Sequence, residues 1–237
     1  MSGPRTHLPL AGTRVRVASY NTRDFLDDRR AAARVVRRIR PDILCLQEVP
    51  RHPLSGVRVR RFAAECEMAW SGAHRGSGGT TILTGPRVRV AEAWHRRLSV
   101  ALLTRTRGYA LARLDVDGGP PLVVASVHLS LSAGERRAHT VQILRGVRDA
   151  ADGPGRTIVA GDLNERDSGS AWRLVDSRLR LVSPRTPTYP AGRPRAVLDV
   201  VFASADLTAL PHSDVDLGED DVVAASDHRP VWADLLV

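Results

Sequence analysis

Apolar residues are spaced along the chain in two ways, with a period of two in some segments and at helical intervals in others. Residues 13–19 alternate polar and apolar side chains, which is typical of a strand with one buried face. The segment DILCLQ at residues 42–47 is almost continuously apolar, as in strands that are buried on both faces. By these criteria the predicted strands are residues 13–19, 42–47, 80–83, 88–93, 110–116, 122–129, 157–160, 196–203 and 231–237.

Helical spacing appears between several of these strands. Ala32, Val36 and Ile39 would share one face of a helix, for which Asp24 or Asp27 is the predicted N-cap. Strands and helices therefore alternate over much of the chain, which indicates an α/β protein. The predicted helices are residues 28–40, 61–68, 135–150 and 170–175.

The connections between strands include hairpins as well as helices, such as the turn predicted at residues 117–120. This mixture indicates two mixed sheets stacked face to face and flanked by helices, which is an α/β sandwich. The chain has no linker, repeat or low-complexity segment. We therefore expect one domain over residues 13–237, preceded by a short tail of residues 1–12.

The overall composition is that of an ordinary globular protein. Of the 237 residues, 43% are hydrophobic and 26% are charged. No apolar run approaches the roughly 20 residues that span a bilayer, and the two cysteines, Cys45 and Cys66, do not make a disulfide framework. We expect a cytoplasmic protein without a membrane span, and a monomer.

The formal net charge of +9 points to a substrate that carries phosphate. All 35 basic residues are arginines, because the sequence contains no lysine. The codon bias of a GC-rich genome explains arginine in place of lysine. It does not explain the excess of bases over acids, which we keep as modest support for a polyanionic partner.

Polar residues that could do chemistry recur where predicted apolar runs end. Strand ends gather at one edge of a sheet, so these residues could converge in one pocket. The set offers no serine beside a base and no cysteine nucleophile, which argues against a covalent mechanism. The residues of this set are Asn21, Glu48, His128, Asp162, Asn164, Asp199, Asp227 and His228.

This set of side chains suits phosphoester hydrolysis. Carboxylates and carboxamides are hard oxygen ligands, which prefer Mg²⁺ or Mn²⁺ to zinc. Imidazoles can stabilise the growing negative charge on a phosphate, and a carboxylate can align or deprotonate a water molecule. Taken singly, each residue has an ordinary structural role: Asn21 as a turn residue, GDLN at residues 161–164 as an Asx turn, and His128 as a buried core histidine. Their shared position at strand ends favours a site.

Six short motifs carry a resemblance to a known family over nearly the whole chain. They are SYN at residues 19–21, LQE at 46–48, SVHL at 126–129, GDLN at 161–164, LD at 198–199 and SDHRP at 226–230. Together they resemble the endonuclease/exonuclease/phosphatase superfamily, which includes deoxyribonuclease I and inositol polyphosphate 5-phosphatases. The resemblance implies a four-layer α/β sandwich, as in deoxyribonuclease I, with the active site at one edge of the paired sheets.

The resemblance also implies a role for each member of the set. Glu48 would be the main ligand of Mg²⁺ or Mn²⁺, with Asn21 beside it and Asp227 near a possible second metal position. Asp162 would align or activate the attacking water, and Asn164 would hold that water or a phosphoryl oxygen. His128 and His228 would contact the scissile phosphate, and Asp199 would fix the tautomer of His228.

Three functions remain open at the level of the sequence. The first is a metal-dependent nuclease, favoured by the positive charge, with Arg75, Arg105 and Arg107 as candidate phosphate contacts. Only 4% of the residues are aromatic, which leaves few rings for stacking on unpaired bases. The second is a phosphatase or phosphodiesterase of a small phosphoester or phospholipid head group, and the short chain, with little room for DNA-inserting loops, suits such an open pocket.

The third function is a catalytically silent binding module on the same fold. It is disfavoured because every core residue of the motifs is present.

Some nucleases of the superfamily carry an additional glutamate that supports the histidine corresponding to His128. The segment of residues 72–80 lacks such a glutamate. We expect a metal-dependent phosphodiester hydrolase with nucleic acid as the leading substrate.

Overall fold

A computed structural model describes residues 12–72, 76–100, 106–117, 119–153 and 155–237. Two six-stranded sheets form the centre of the molecule. The first sheet contains β1 (Arg14–Asn21), β2 (Ile43–Gln47), β3 (Ala69–Trp70), β4 (Thr81–Thr84), β11 (Thr208–Ala209) and β12 (Val231–Leu236). The second contains β5 (Val88–Leu98), β6 (Arg107–Val116), β7 (Leu122–His128), β8 (Thr157–Asp162), β9 (Arg180–Leu181) and β10 (Asp199–Ala203).

Both sheets are mixed. The strand order is β11-β12-β1-β2-β4-β3 in the first sheet and β5-β6-β7-β8-β10-β9 in the second. Strands β1 and β2 pair in parallel, as do β7 and β8, and the other pairs are antiparallel. The two parallel pairs lie at the middle of their sheets. Asn21, the last residue of β1, contacts Asp162, the last residue of β8, so the carboxyl ends of both pairs lie at the same edge of the sandwich.

Helices cover the outer face of each sheet. The helices of the described residues are α1 (Arg29–Ile39), α2 (Ser55–Glu65), α3 (Ala133–Ala150), α4 (Ser170–Asp176) and α5 (Glu219–Ala225), with a short 3₁₀ turn at Arg23–Phe25. One apolar cluster joins α1, α2 and α5 to the first sheet, and another joins α3 and α4 to the second. A third cluster lies between the sheets. The predicted four-layer α/β sandwich is confirmed.

Several predicted boundaries were wrong. Asp28 caps α1, since its Oδ1 accepts hydrogen bonds from the amides of Arg30 and Ala31, whereas Asp24 was one of two predicted caps and lies in the 3₁₀ turn. The helix predicted at residues 61–68 begins at Ser55. Strand β5 continues to Leu98, five residues beyond its predicted end. The predicted tail and the predicted turn at residues 117–120 lie partly outside the described residues.

No helix among the described residues is long and apolar enough to cross a membrane.

A buried ion pair joins β1 to β12. The Asp234 side chain is 2% exposed, and it accepts hydrogen bonds from Arg16 Nε (2.9 Å), Arg14 Nη2 (2.9 Å) and Ser213 Oγ (2.9 Å). Burial alone would raise the pKa of the Asp234 carboxyl. The hydrogen bonds from Arg16, Arg14 and Ser213 outweigh burial and hold this pKa well below its usual value.

Replacement of Asp234 by asparagine is expected to lower the free energy of unfolding by about 2 to 4 kcal/mol at pH 7. Because the folded-state pKa lies below the unfolded one, the ion pair stabilises at neutral pH, and this stabilisation is lost as the pH falls below about 4. Urea unfolding at several pH values measures the difference. Asp152, whose carboxylate pairs with Arg113 on the surface and is 77% exposed, provides the matched control, and its asparagine variant should lose less than about 1 kcal/mol. A difference that persists unchanged at pH 3 would contradict the prediction.

Candidate active site

The central strands carry polar side chains from the core to one edge of the sandwich. Val15 and Val17 of β1 belong to the apolar cluster between the sheets. Successive inward-facing residues of a strand are two apart, so Ser19 and Asn21 continue the same face beyond the core. At the same edge, the inward residues of β2, β7, β8 and β10 are Gln47, His128, Asp162 and Asp199.

A buried polar layer separates the apolar core from this edge. Ser126 Oγ on the second sheet donates to the carbonyl of Leu46 on the first (2.9 Å), and Gln47 Nε2 donates to Ser126 Oγ (3.2 Å). Ser19 Oγ donates to Gln47 Oε1 (3.3 Å). Because buried polar groups are costly unless paired, these bonds hold the two sheets in one relative position.

Above this layer, Asp162 lies at the centre of six side chains that we call the polar cluster. Its Oδ2 accepts a hydrogen bond from Asn21 Nδ2 (3.1 Å). The Nε2 atoms of His128 and His228 lie 3.6 and 3.8 Å from the same oxygen. Asp162 itself is 1% exposed. The members of the polar cluster are Asn21, Glu48, His128, Asp162, Asp199 and His228.

The backbone around Asp162 fixes its carboxylate. Gly161 lies so close to β7 that a Cβ there would be 1.9 Å from the carbonyl oxygen of Val127, so a side chain at this position would displace the strand. Asn164, in the left-handed region at φ 48°, donates its backbone N–H to Asp162 Oδ1 (2.8 Å). Its side-chain Nδ2 donates to the carbonyl of Leu129 (3.0 Å), which leaves the amide oxygen as an acceptor.

Asp162 and His228 have shifted pKa values. Burial, and then the charge of Asp199, raises the pKa of the Asp162 carboxyl well above its usual value, although His228, Asn164 and Asn21 partly oppose this. Burial lowers the pKa of His228, but the Asp199 carboxylate outweighs it and raises this pKa to about 9. The Nδ1 atom of His228 lies 2.8 Å from Asp199 Oδ2. His228 is therefore a cation at neutral pH, held beside a carboxylate that is easily protonated.

Glu48 lies near Asp162 and His228, on a turn with a strained backbone. Its backbone is in the left-handed region (φ 49°), and its carbonyl accepts a hydrogen bond from the amide of Asp24 (2.6 Å). Its Oε1 lies 3.3 Å from Asn21 Nδ2 and 3.8 Å from His128 Nε2. The side chain is 26% exposed, so it can meet both the buried cluster and solvent.

Asp227 lies at the rim of the polar cluster. Its carboxylate is 36% exposed and lies 3.6 Å from Arg23 Nε. The loop that carries it is tied down by Ser226 Oγ, which donates to the carbonyl of Asn21 (2.7 Å). The chain bends at Asp227 and His228, and the charge of Asp227 is one of those that raise the pKa of His228.

The sequence matches the model of a known protein family. The model of the endonuclease/exonuclease/phosphatase family matches residues 18–228. The chain belongs to this family. Its match supports a hydrolase of phosphoesters, and a search of curated proteins found no significant relative.

Solved structures share the family fold at low sequence identity. An endonuclease/exonuclease/phosphatase from Bacteroides vulgatus has a TM-score of 0.75 at 17% identity, with 95% of this chain and 99% of that one covered. The catalytic domain of human Nocturnin, with a bound sulfate anion, has a TM-score of 0.74 at 19% identity (94% and 94% covered). A mannosyl-6-phosphatase from Bacteroides thetaiotaomicron has a TM-score of 0.75 at 15% identity (94% and 100% covered).

One loop that the sequence did not single out, between β9 and β10, contacts the polar cluster. The amide of Asp199 donates a hydrogen bond to Thr188 Oγ1 (3.3 Å). The ring of Tyr189 packs on the imidazole of His228, with ring centroids 4.8 Å apart. Among the predicted phosphate contacts, Arg107 places Nη1 3.0 Å from His128 Nδ1. Arg75 and Arg105 lie outside the described residues.

The donor set of the polar cluster fits the divalent cation that the family resemblance implies. Asn21 Nδ2 donates to oxygens of both Glu48 and Asp162, and Asn21 Oδ1 accepts a hydrogen bond from the amide of Arg23 (3.1 Å). A second grouping, Asp162, Asp199 and His228, has its ligand atoms within 4.8 Å of one another. In that grouping His228 Nδ1 and Asp199 Oδ2 already bond to each other at 2.8 Å. Carboxylate and carboxamide oxygens are the donors that Mg²⁺ and Mn²⁺ prefer, so Glu48, Asn21 and Asp162 fit such an ion better.

Proposed function

We propose that this protein is a divalent-metal-dependent phosphodiester hydrolase that cleaves nucleic acid. The observation that carries the proposal is the buried Asp162 carboxylate, which lies within 3.8 Å of two imidazoles and next to Asn21. Such an arrangement can accept a proton from water and offer positive charge to a phosphate at the same time.

Glu48 and Asn21 would hold Mg²⁺ or Mn²⁺, with Asp162 adjacent and Asp227 available at the rim for a second ion. The bound ion would neutralise charge on the phosphoryl oxygens. The residues of the chain activate the water and contact the phosphate. Asp162 takes a proton from the attacking water, whose oxygen bonds to phosphorus as the bond to the leaving oxygen breaks. The leaving oxygen keeps the electron pair of the broken bond and takes a proton from solvent, and Asp162 later returns its own proton to solvent.

Each remaining side chain has a separate part in this reaction. His228, protonated and held by Asp199, contacts a phosphoryl oxygen, and His128, whose Nε2 also lies near Asp162 Oδ2, contacts another. The free amide oxygen of Asn164 accepts a hydrogen bond from the attacking water, which orients it.

The direct test is hydrolysis with Mg²⁺ or Mn²⁺, with and without EDTA. The substrates are plasmid DNA, single-stranded DNA, RNA, and a panel of small phosphomonoesters and phosphodiesters. EDTA-sensitive cleavage of a polynucleotide supports the nuclease. The net charge of +9 favours a polyanionic substrate.

A phosphatase or phosphodiesterase of a small phosphoester is the second candidate. A mannosyl-6-phosphatase is among the proteins with a similar fold. Turnover of small phosphoesters without polymer cleavage in the same assay would select this candidate.

Replacement of Glu48 by glutamine is expected to raise the Mg²⁺ concentration for half-maximal rate roughly 10- to 100-fold, because a charged ligand becomes neutral. A metal titration of the initial rate measures this shift. The exposed Glu92 on β5 provides the control, since Glu92→Gln should leave the titration unchanged. An unchanged half-maximal concentration in Glu48→Gln would remove Glu48 from the proposed metal site.

A further inference from the structure

A cationic cavity of about 570 Å³ lies between the loop after β2 and the edge of the second sheet. Its basic lining residues are Arg51, His52 and Arg97. The described lining residues include no aspartate or glutamate. Trp70 and four glycines, Gly56, Gly76, Gly78 and Gly79, form much of the remaining wall.

The wall is built by backbone packing between the two sheets. A Cβ on Gly78 would lie 2.3 Å from the amide nitrogen of Gly108, so the loop of residues 76–79 rests directly on the start of β6. Gly78 is also in the left-handed region (φ 67°), which favours glycine. The cavity therefore has a fixed wall rather than one made by mobile side chains.

The cavity lies next to the segment that carries Glu48, since the amide of Val49 donates to the carbonyl of Gly79 (2.9 Å), a residue that lines the cavity. Arg51 follows Glu48 by three residues, which limits the separation of their Cα atoms to about 10 Å. Arg51 Nη1 donates to the carbonyl of Thr106 (3.1 Å). The next residue, Arg107, lies 3.0 Å from His128 Nδ1.

The two arginines of the cavity differ from many others in the chain in having no acidic partner. Arg34, Arg136 and Arg229, for example, pair with Asp221, Glu165 and Glu219. Among the described residues, no carboxylate lies within ion-pair distance of Arg51 or Arg97, and both side chains are exposed. Uncompensated cations in a concave surface concentrate anions there.

We infer that this cavity binds phosphate groups of the nucleic-acid strand on one side of the scissile phosphate. The inference rests on the proposed function and names a subsite for its substrate. Because the Cα atoms of Glu48 and Arg51 are at most about 10 Å apart, Arg51 can reach a phosphate close to the scissile one. Arg51 and Arg97 are thus positioned to contact phosphates that are not cleaved, which hold the strand in register with Asp162.

Binding of a fluorescently labelled single-stranded decanucleotide in EDTA, followed by anisotropy over a salt series, tests this subsite without turnover. The double variant Arg51→Ala/Arg97→Ala should bind at least roughly tenfold more weakly at low salt, and the slope of log K against log salt should fall by about one per arginine. Arg178→Ala is the matched control, because Arg178 is an exposed arginine near Thr157, at the other end of β8 from Asp162. It should leave affinity and slope unchanged.

A length series from dinucleotide to decanucleotide identifies the source of the phosphate. Wild-type affinity should rise with length more steeply than that of the double variant. Equal affinity and equal slope in wild type and double variant would overturn the subsite, as would equal weakening in Arg178→Ala. These outcomes do not depend on hydrolysis. Failure of the proposed reaction would instead appear as wild-type protein that binds the strand but does not cleave it with Mg²⁺ or Mn²⁺.

Discussion

Asp162→Asn is expected to lower kcat on a cleaved polynucleotide about a thousandfold while leaving the protein folded. The asparagine has nearly the same shape and keeps an acceptor for the backbone N–H of Asn164, but it cannot take a proton from water. Burial of an ionised carboxylate is costly, and the raised pKa of Asp162 reflects that cost. Thermal unfolding of the variant should therefore occur at the same temperature as in wild type or at a higher one.

Initial rates and thermal unfolding, measured on the same preparations, separate the two effects. Asp176, at the end of α4, provides a matched aspartate outside the polar cluster, and Asp176→Asn should retain full activity. An Asp162→Asn variant with wild-type kcat would exclude Asp162 as the base. A variant that loses activity only because it unfolds at lower temperature would contradict the argument from burial.

The site residues at the strand ends lie close together because side chains alternate along each strand. Because side chains alternate along a strand, the apolar positions of β1 that fill the core also determine that Asn21 faces inward. The same holds for His128 on β7 and Asp162 on β8, which are paired in register. A pattern of inward apolar residues ending in polar ones is visible in the sequence, so the set could be listed before the fold was known.

The partners that tune the site could not be predicted in this way. Thr188, Tyr189 and Arg107 reach Asp199, His228 and His128 from loops or strand starts whose positions depend on tertiary packing. The nearest chain separation is 11 residues, from Thr188 to Asp199. No local periodicity relates such pairs.

Helix limits were predicted wrongly, or a helix was missed, where the local sequence favours a turn or loop but tertiary packing favours a helix. The start of α2 overlaps the segment HPLSG at residues 52–56, whose composition is typical of a turn, but Val59 and Phe62 are buried against the first sheet and stabilise the helix. Helix α5 begins with three acidic residues that resemble a solvated loop. Its Val222 and Ala225 pack in the same cluster as α1, and Asp221 pairs with Arg34. In both helices, packing outweighs the local signal.

His228→Ala should lower kcat about 100- to 1000-fold, because it removes a cation from the phosphoryl oxygens. The pH profile distinguishes this role from a purely structural one. The pKa of about 9 lies above the usual value for histidine, so the imidazolium is present at neutral pH and is lost as the pH rises through 9. Wild-type kcat should fall above pH 9. Asp199→Asn should move that fall to lower pH, because Asp199 is the group that raises the pKa of His228.

His212 provides the control, since it packs on Trp232 outside the polar cluster. His212→Ala should change neither the rate nor the pH profile. If His228→Ala kept a basic limb identical to that of wild type, another group would be responsible for it, and His228 would not be the phosphate-binding cation.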